Sequence, residues 1–378
     1  MRLARTCLVT ALCAVTAVCA VATLCAALVA APAATSAPAL ASNVVIVTID
    51  GFRWQEAFGG AQREYFKKTS DGKPSPAELR FWRDDEGARR ETLMPFLWST
   101  IAKEGAVFGD PSRHSRVHLT NGLWFSYPGY SEMLTGIADP RVDSNDKVPN
   151  PNVTVLEWLN GRPGFAGRVH AVGDWDVLPF ILNVGRSKLP VGSMQPVPSP
   201  RTERERAIND LTADLPPYWN GVIFDAPVMQ AALEALRART PRVLYVMLGE
   251  TDEWAHGGRY DMYLDAASRS DRFLATLWRT LQSLPAYRGK TTMIVTTDHG
   301  RGATLKDWTD HGRDVPAAET TWMAMLGPGT GLGPGANRGV REGVTLTTSQ
   351  LAATVAALLG EDYRAAFPAA APPIAGMK

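Results

Sequence analysis

Cysteine is confined to the first 25 residues of this 378-residue chain. The four cysteines are Cys7, Cys13, Cys19 and Cys25, and none follows a lipobox sequence. The rest of the chain therefore has no disulfide, no thiolate metal ligand and no cysteine nucleophile. A domain without disulfides depends on its hydrophobic core, and a chain of this length can bury one.

The first 41 residues have the composition of an export signal. Two arginines stand in the opening MRLART, and residues 7–30 are almost wholly small and apolar. Ala-x-Ala cleavage sites follow at 31–33 and 39–41. This pattern predicts a signal peptide over 1–41 and a periplasmic or secreted protein. The alternative is an uncleaved anchor, because the apolar run is long enough to span a bilayer.

The chain also lacks an excess of charge of either sign. Because Arg2 and Arg5 lie in the leader, its removal lowers the 39 basic residues to 37, against 38 acidic ones. Such a balance disfavours a protein that binds nucleic acid or an anionic membrane through phosphate neutralisation. We expect no nucleic-acid partner, and no stable membrane partner unless the leader is retained.

The chain after the leader is rich in uninterrupted apolar, β-branched segments. Continuous hydrophobicity is typical of strands buried on both faces, as in a parallel sheet. Candidate strands are 43–49, 168–173, 241–248, 291–297 and 321–326, and candidate helices are 94–103, 225–239, 262–284 and 348–359. This alternation predicts an α/β fold, with a doubly wound, mostly parallel sheet flanked by helices in a single domain over 42–378.

Residues 53–92, which follow the first strand, are rich in charged and aromatic side chains. We interpret them as an insertion that borders the functional site. The alternative is a solvated surface excursion without a role in the site.

Three candidate strands end in acidic residues, and histidines accompany two of them. Ligands of such sheets bind beyond the carboxyl ends of the strands. Carboxylate oxygens and imidazole nitrogens hold divalent metals in hydrolases, so we predict a metal site there. A further histidine lies in the polar loop WTDHGRDVP. The candidate ligands are Asp50, Asp252, His256, Asp298, His299 and His311.

The segment SYPGYSEMLTG, residues 126–136, offers a candidate nucleophile. Pro128 favours the start of a helix, which would place Ser126 near free N–H groups able to bind an anion. One alternative is that Ser126 is a helix N-cap. Another is a formylglycine, which sulfatases form at the first residue of the pattern Cys/Ser-x-Pro-x-Arg. Tyr130 replaces that arginine, which disfavours the sulfatase alternative.

The motifs VTIDGFR, SYPGYSEMLTG, ETDEWAH, TTDHGRG and WTDHG occur in this order. Their order resembles that of the alkaline phosphatase superfamily, particularly its nucleotide pyrophosphatase/phosphodiesterase branch and related bacterial phosphatases, over essentially the whole mature chain. The resemblance implies two divalent metal ions, zinc or alternatively manganese. It implies that one ion is held by Asp50, Asp298, His299 and the Ser126 oxygen, and the other by Asp252, His256 and His311.

The resemblance further implies a hydrolase of small phosphate esters. Ser126 takes the position of the family's threonine nucleophile, which metal coordination activates and which forms a phosphorylated intermediate. Diester or nucleotide-type substrates are favoured slightly over monoesters. One alternative is a sulfatase or sulfonate-ester hydrolase, and another is a catalytically silent binding protein. The seven matching ligand positions disfavour the latter.

Two further residues are candidates for contact with substrate. The family's diesterases use an asparagine downstream of the Thr-Gly, and Asn145 best matches that spacing; its alternative is a structural role in a turn. Tyr127 occupies a position where relatives stack an aromatic ring on a nucleobase; its alternative is the core. Arg301 could instead reach the site and favour monoesters.

Overall fold

The computed structural model describes residues 39–330 and 338–376. All four cysteines and the predicted signal peptide, except its last three residues, lie outside these ranges. No helix within these ranges combines the length and hydrophobicity that a membrane span requires.

A central eight-stranded sheet organises the fold, and a separate three-stranded sheet brings the described strands to eleven. The strands are β1 (Asn43–Ile49), β2 (Ala106–Phe108), β3 (Arg116–His118), β4 (Val169–Val172), β5 (Val191–Gly192), β6 (Val243–Leu248), β7 (Thr291–Thr296), β8 (Thr320–Thr321), β9 (Met323–Leu326), β10 (Gly339–Val340) and β11 (Thr345–Thr347). The order in the large sheet is β10-β2-β9-β7-β1-β6-β4-β5, and among its described strands only β9 runs antiparallel to its neighbours. A smaller sheet has the order β11-β3-β8. The mostly parallel sheet confirms the predicted fold class.

Helices connect the strands and cover the sheet. They are α1 (Trp54–Gly59), α2 (Pro76–Phe81), α3 (Glu86–Leu93), α4 (Ala102–Glu104), α5 (Ser126–Thr135), α6 (Val155–Asn160), α7 (Leu178–Ile181), α8 (Val184–Ser187), α9 (Glu203–Asp214), α10 (Asp225–Ala238), α11 (Glu250–His256), α12 (Tyr260–Ser283), α13 (Gln350–Leu358) and α14 (Tyr363–Ala366). Single turns of 3₁₀ helix lie at Arg63–Tyr65 and Pro111–Arg113, and a π-helical turn at Leu97–Ile101.

The two faces of β1 show why its sequence is continuously apolar. Val45 and Val47 belong to one hydrophobic cluster, which includes side chains of α10 and α12. Val44 and Ile46 belong to a second cluster, with side chains of α5 and α13. Because alternate residues of a strand point to opposite faces, a strand between two helical layers needs apolar residues at every position.

Two predicted elements differ from the observed ones. The candidate strand 321–326 is divided at Trp322, so that β8 joins the small sheet and β9 the large one. Trp322 is fully buried there, and its Nε1 donates to the carbonyl of Phe52 at 2.9 Å. The candidate helix 94–103 contains a π-helical turn and the short α4 instead of one regular helix.

Part of the segment 53–92 packs against the loop that follows β7. Nη1 of Arg53 donates to the carbonyl of Gly302 at 2.7 Å, and the hydroxyl of Tyr65 donates to the carbonyl of Ala303 at 3.2 Å. The side chains of Phe58 and Phe81 belong to the hydrophobic core. The interpretation of 53–92 as an insertion stays a prediction.

Candidate metal centre

The predicted ligands converge because of the strand order. β1 lies between β6 and β7, with Ile49 paired with Leu248 and Thr48 with Thr296. The residues that follow these three parallel strands therefore emerge side by side at one edge of the sheet. Asp50 follows β1, Asp252 lies in the first turn of α11 after β6, and Asp298 and His299 follow β7.

His299 lies at the centre of a first ligand group. Its Nε2 is 3.3 Å from Oδ1 of Asp50, 3.4 Å from Oδ2 of Asp298 and 3.3 Å from Oγ of Ser126. All four side chains are buried. These are the four residues that the family resemblance implied for one metal ion.

Hydrogen bonds orient Asp50, Asp298 and His299, and they leave one potential ligand atom of each free. The hydroxyl of Tyr130 donates to Oδ2 of Asp50 at 2.8 Å, and the N–H of Gly51 donates to Oδ1 of Asp298 at 3.1 Å. Nδ1 of His299 donates to the carbonyl oxygen of Gly300 at 2.9 Å, which leaves the lone pair of Nε2 free to bind a metal ion.

The free atoms fit a metal ion. Oδ1 of Asp50 and Oδ2 of Asp298 are buried without a hydrogen-bond partner in the described part of the chain. Buried polar atoms without partners are costly, and they point to an absent ligand. A divalent cation beside Nε2 of His299 would satisfy both oxygens, and the outer hydrogen bonds are those that typically orient metal ligands.

A second ligand group adjoins the first. Nε2 of His256 is 3.1 Å from Oδ2 of Asp252 and 3.0 Å from Nε2 of His311. One ligand atom from each of these three residues lies within 4.8 Å of the others. Oδ1 of Asp252 is also 3.7 Å from Nε2 of His299, so Asp252 lies between the two groups. The structure thus brings together all seven predicted ligands.

Arg301 is bound to this second group rather than directed at substrate. Its fully buried guanidinium donates to the carboxylate of Asp252, to the Asp252 carbonyl at 3.1 Å and to the carbonyl of Thr309. Burial disfavours ionisation of Asp252, but the charges of Arg301 and His256 outweigh it and hold the pKa of Asp252 well below its usual value. The position of Arg301 therefore does not support direct contact with a phosphate.

Gly51 is needed where the two ligand groups meet. Its φ is +57°, in the left-handed region that favours glycine. A Cβ at this position would lie 2.5 Å from Oδ1 of Asp252. An Asp-Gly pair considered by itself would suggest only a turn. Here the site requires the glycine, because a side chain at position 51 would collide with Asp252.

Ser126 is the first residue of α5, and the N-cap position belongs to Phe125. The structure therefore does not support the N-cap alternative for Ser126. Close packing brings α5 to the end of β7, because a Cβ at Gly129 would lie 2.5 Å from the carbonyl oxygen of Asp298. The small residue in the SYPGY segment thus lets the Ser126 hydroxyl reach His299.

A cavity of about 210 Å³ opens beside Ser126. It is lined by Asp50, Ser126, Asn145, Asp174, Trp175, Val222, Gly249, Asp252, Glu253, His256 and His311. The sequence analysis missed Asp174 and Glu253. Asp174 follows the strand β4, so its signal was the same as that of Asp50, an acid after a buried strand.

The two predicted substrate-contacting residues have different positions. Asn145 lines the cavity, and its Oδ1 accepts the N–H of Tyr127 at 2.9 Å, which leaves its Nδ2 as a donor. The ring of Tyr127 is only 2% exposed, and its hydroxyl donates to the carbonyls of Val148 and Phe180. Because this ring is held in the core, its predicted stacking role is not supported; Trp175 is the aromatic residue of the wall.

A family model matches the part of the chain that contains five of the seven predicted ligands. Residues 217–322 match the Metalloenzyme superfamily. That segment contains Asp252, His256, Asp298, His299 and His311. No curated protein sequence matches the chain.

Solved structures are similar to this chain over most of its length. A protein in the alkaline phosphatase superfamily from Vibrio parahaemolyticus has a TM-score of 0.50 at 14% identity, covering 86% of this chain and 69% of that chain. The chain has the alkaline phosphatase fold. Murine ectonucleotide pyrophosphatase/phosphodiesterase 5 has a TM-score of 0.51 at 14% identity, with coverages of 88% and 97%. A putative sulfatase from Bacteroides thetaiotaomicron has a TM-score of 0.51 at 13% identity, with coverages of 85% and 71%.

These similarities confirm the superfamily resemblance that the motif order predicted. The alkaline phosphatase fold and the metalloenzyme match agree with the buried Asp and His groups. Because the similar structures include both a phosphodiesterase and a putative sulfatase, the fold leaves the class of ester to be argued from the residues of the site.

Proposed function

We propose that this protein is a two-metal hydrolase of phosphate esters in which Ser126 is the nucleophile. The observation that supports this most strongly is the position of the Ser126 hydroxyl. It lies 3.3 Å from Nε2 of His299, whose other close neighbours are the free oxygens of Asp50 and Asp298. A hydroxyl that only capped a helix would have no reason to lie in this group.

The two ligand groups would each hold one divalent ion. Donor sets of imidazole nitrogen and carboxylate oxygen, without sulfur, suit zinc, with manganese as the alternative. When bound, such ions would activate the serine hydroxyl and stabilise the charge that develops on the attacking and leaving oxygens.

The chain's own residues orient the reaction. Ser126 would attack phosphorus and release the leaving group as an alcohol, forming a phosphoseryl intermediate. Water would then cleave the serine–phosphate bond and restore the hydroxyl. Nδ2 of Asn145 is a neutral donor in the wall of the same cavity, suited to a non-bridging phosphate oxygen.

The charges of the cavity favour diesters. A monoester carries more negative charge than a diester, and monoesterases usually compensate it with cationic side chains. No lysine or arginine is among the described residues that line this cavity. Arg301, the predicted exception, is bound to Asp252. Diester or nucleotide-type substrates are therefore the preferred class within the proposal.

A sulfatase mechanism receives less support from the same residues. Tyr130 stands where the formylglycine pattern has arginine, and its hydroxyl is bound to the Asp50 carboxylate. An unmodified Ser126 agrees with this arrangement. A silent binding protein is disfavoured because both ligand groups are complete.

The experiment is a metal analysis followed by initial rates. Protein loaded with zinc or with manganese is assayed on nitrophenyl phosphate, bis-nitrophenyl phosphate and nitrophenyl sulfate. We expect two ions per chain and the highest kcat/KM on the diester, with Ser126→Ala inactive but still metal-bound. Preference for the sulfate would favour the sulfatase alternative, and metal-free, inactive protein would favour a binding protein.

We also propose that the chain is exported and that residues 1–41 are removed. The support is the composition of this leader. N-terminal sequencing of protein recovered from a bacterial periplasm should begin after Ala41; a start after Ala33 would show that the first of the two sites is used instead. Full-length protein retained in the membrane fraction would indicate an anchor instead.

A further inference from the structure

A carboxylate that the proposed reaction does not use lies in the wall of the same cavity. Asp174 is 1% exposed, and neither of its carboxylate oxygens has a hydrogen-bond partner in the ranges that the structure describes. Gly249 makes room for it, since a Cβ there would lie 2.1 Å from Oδ2 of Asp174. Asp174 is not one of the seven predicted metal ligands.

This carboxylate lacks a positive charge to offset its burial. Burial, followed by the carboxylates of Asp225 and Asp50, raises the pKa of Asp174 well above its usual value. Arg269, whose charge acts on the neighbouring Asp225, is paired with Glu250 and Asp265. Burying a carboxylate costs free energy unless a hydrogen-bond donor or a positive charge pairs with it.

Two neighbouring residues extend the wall. Glu253 lines the cavity and forms no ion pair among the described residues. Trp175 also lines the cavity, and its backbone pairs with Val222, which pairs in turn with Trp219. An aromatic side chain beside carboxylates is the environment in which proteins bind organic ammonium groups, through cation–π and Coulomb attraction.

A third metal ion fits this wall less well. The described groups of three acidic or histidine side chains with ligand atoms within 4.8 Å of one another include neither Asp174 nor Glu253. Two dispersed carboxylates and an indole suit a larger cation whose charge is spread over alkyl groups.

We propose that the wall formed by Asp174, Trp175 and Glu253 binds an alkylammonium group, so that the preferred substrates are phosphate esters of amino alcohols, including quaternary ones. The preference among esters rests on the proposed hydrolase function, whereas binding of the ammonium group does not. Such an ester is a soluble molecule or the headgroup of a lipid, and both present the same chemistry to the cavity.

The kinetic test compares two diesters that differ by one charge. Nitrophenyl phosphocholine is paired with its neutral analogue, in which tert-butyl replaces trimethylammonium. We expect kcat/KM to favour the cationic ester by about tenfold, as one desolvated cation–π and charge contact provides. In Asp174→Asn the ratio should fall to about one. The matched control is Asp176→Asn, because Asp176 pairs with Lys147 and is not among the cavity-lining residues. It should keep the wild-type ratio.

A binding measurement separates this inference from the proposed function. Calorimetric titration with tetramethylammonium needs no turnover, and we expect binding to the wild type and Asp176→Asn that weakens about tenfold in Asp174→Asn. If no ester is hydrolysed but this pattern holds, the hydrolase proposal fails and the ammonium site stands. If nitrophenyl esters are hydrolysed with a ratio near one and tetramethylammonium does not bind, the ammonium site is wrong. Phosphocholine release from phosphatidylcholine vesicles, compared with its release from glycerophosphocholine, distinguishes the lipid source from the soluble one.

Discussion

The hydroxyl of Tyr130 donates a 2.8 Å hydrogen bond to Oδ2 of Asp50. Tyr130 is fully buried, and the bond leaves the other oxygen of Asp50 directed at His299. The residue that distinguishes this sequence from the formylglycine pattern is thus a support of the candidate metal centre.

Tyr130→Phe should weaken metal binding while the fold remains. Loss of an outer hydrogen bond to a metal ligand typically costs about 10- to 100-fold in affinity or activity. Zinc affinity can be measured by competition with a chromogenic chelator. The matched control is Tyr127→Phe, since the Tyr127 hydroxyl bonds only backbone carbonyls away from the ligands. Equal zinc affinity in both variants would show that Tyr130 does not orient Asp50.

His256→Ala should lower the metal content from two ions per chain to one. His256 belongs only to the second ligand group, so the first group of Asp50, Asp298, His299 and Ser126 stays complete. Elemental analysis of protein purified with excess zinc measures this directly. His114→Ala is the control, because His114 is exposed and lies outside both groups. Two ions retained in His256→Ala would contradict the assignment.

Arg301→Ala should lower the rates on phosphate monoesters and diesters in the same proportion. Arg301 holds the carboxylate and carbonyl of Asp252, so its loss should act through the second metal ligand group. The ratio of kcat/KM for nitrophenyl phosphate and bis-nitrophenyl phosphate measures this. Arg301→Lys, which keeps the charge, guards against loss of folding. A selective loss of monoester hydrolysis would show that Arg301 contacts substrate after all.

Asp271 should give the protein a pH-dependent stability that is independent of the metal centre. Its carboxylate accepts the N–H groups of Phe96 and Leu97, yet burial raises its pKa from 3.8 to about 6. A carboxyl whose pKa is higher in the folded state contributes stability below its unfolded pKa, and this contribution is lost as the pH rises through 6.

Relative to Asp271→Asn, the free energy of unfolding of the wild type should therefore fall by up to about 3 kcal/mol between pH 4 and pH 7. Denaturant titrations of metal-free protein at several pH values measure the difference. Parallel curves for the two proteins would contradict the shift.

The strands and the convergence of the candidate metal ligands were predictable because their signals are local. A strand between two helical layers must be apolar at every position, as β1 is, and parallel strands deliver their carboxyl-terminal residues to one edge. Asp50 and Asp298 could thus be assigned to one site from the sequence.

Other features depend on contacts between distant segments. The π-helical turn at Leu97–Ile101 begins where the Asp271 carboxylate accepts two N–H groups, and no sequence pattern near 94–103 contains that information. Asp174 follows a buried strand as Asp50 does, but it was overlooked because it lies outside the five motifs that carry the family resemblance. The core position of Tyr127 depends on the carbonyls of Val148, which lies in a loop, and of Phe180, which lies in α7.

The most direct test of the central proposal is the mass of the peptide that contains Ser126, taken during turnover. Zinc-loaded protein hydrolysing bis-nitrophenyl phosphate is quenched in acid, digested and analysed by mass spectrometry. A phosphoryl or nitrophenyl-phosphoryl adduct on Ser126, absent without substrate, is the predicted result. An unmodified serine in samples quenched during a burst of nitrophenol release, or a formylglycine at this position, would contradict the proposal.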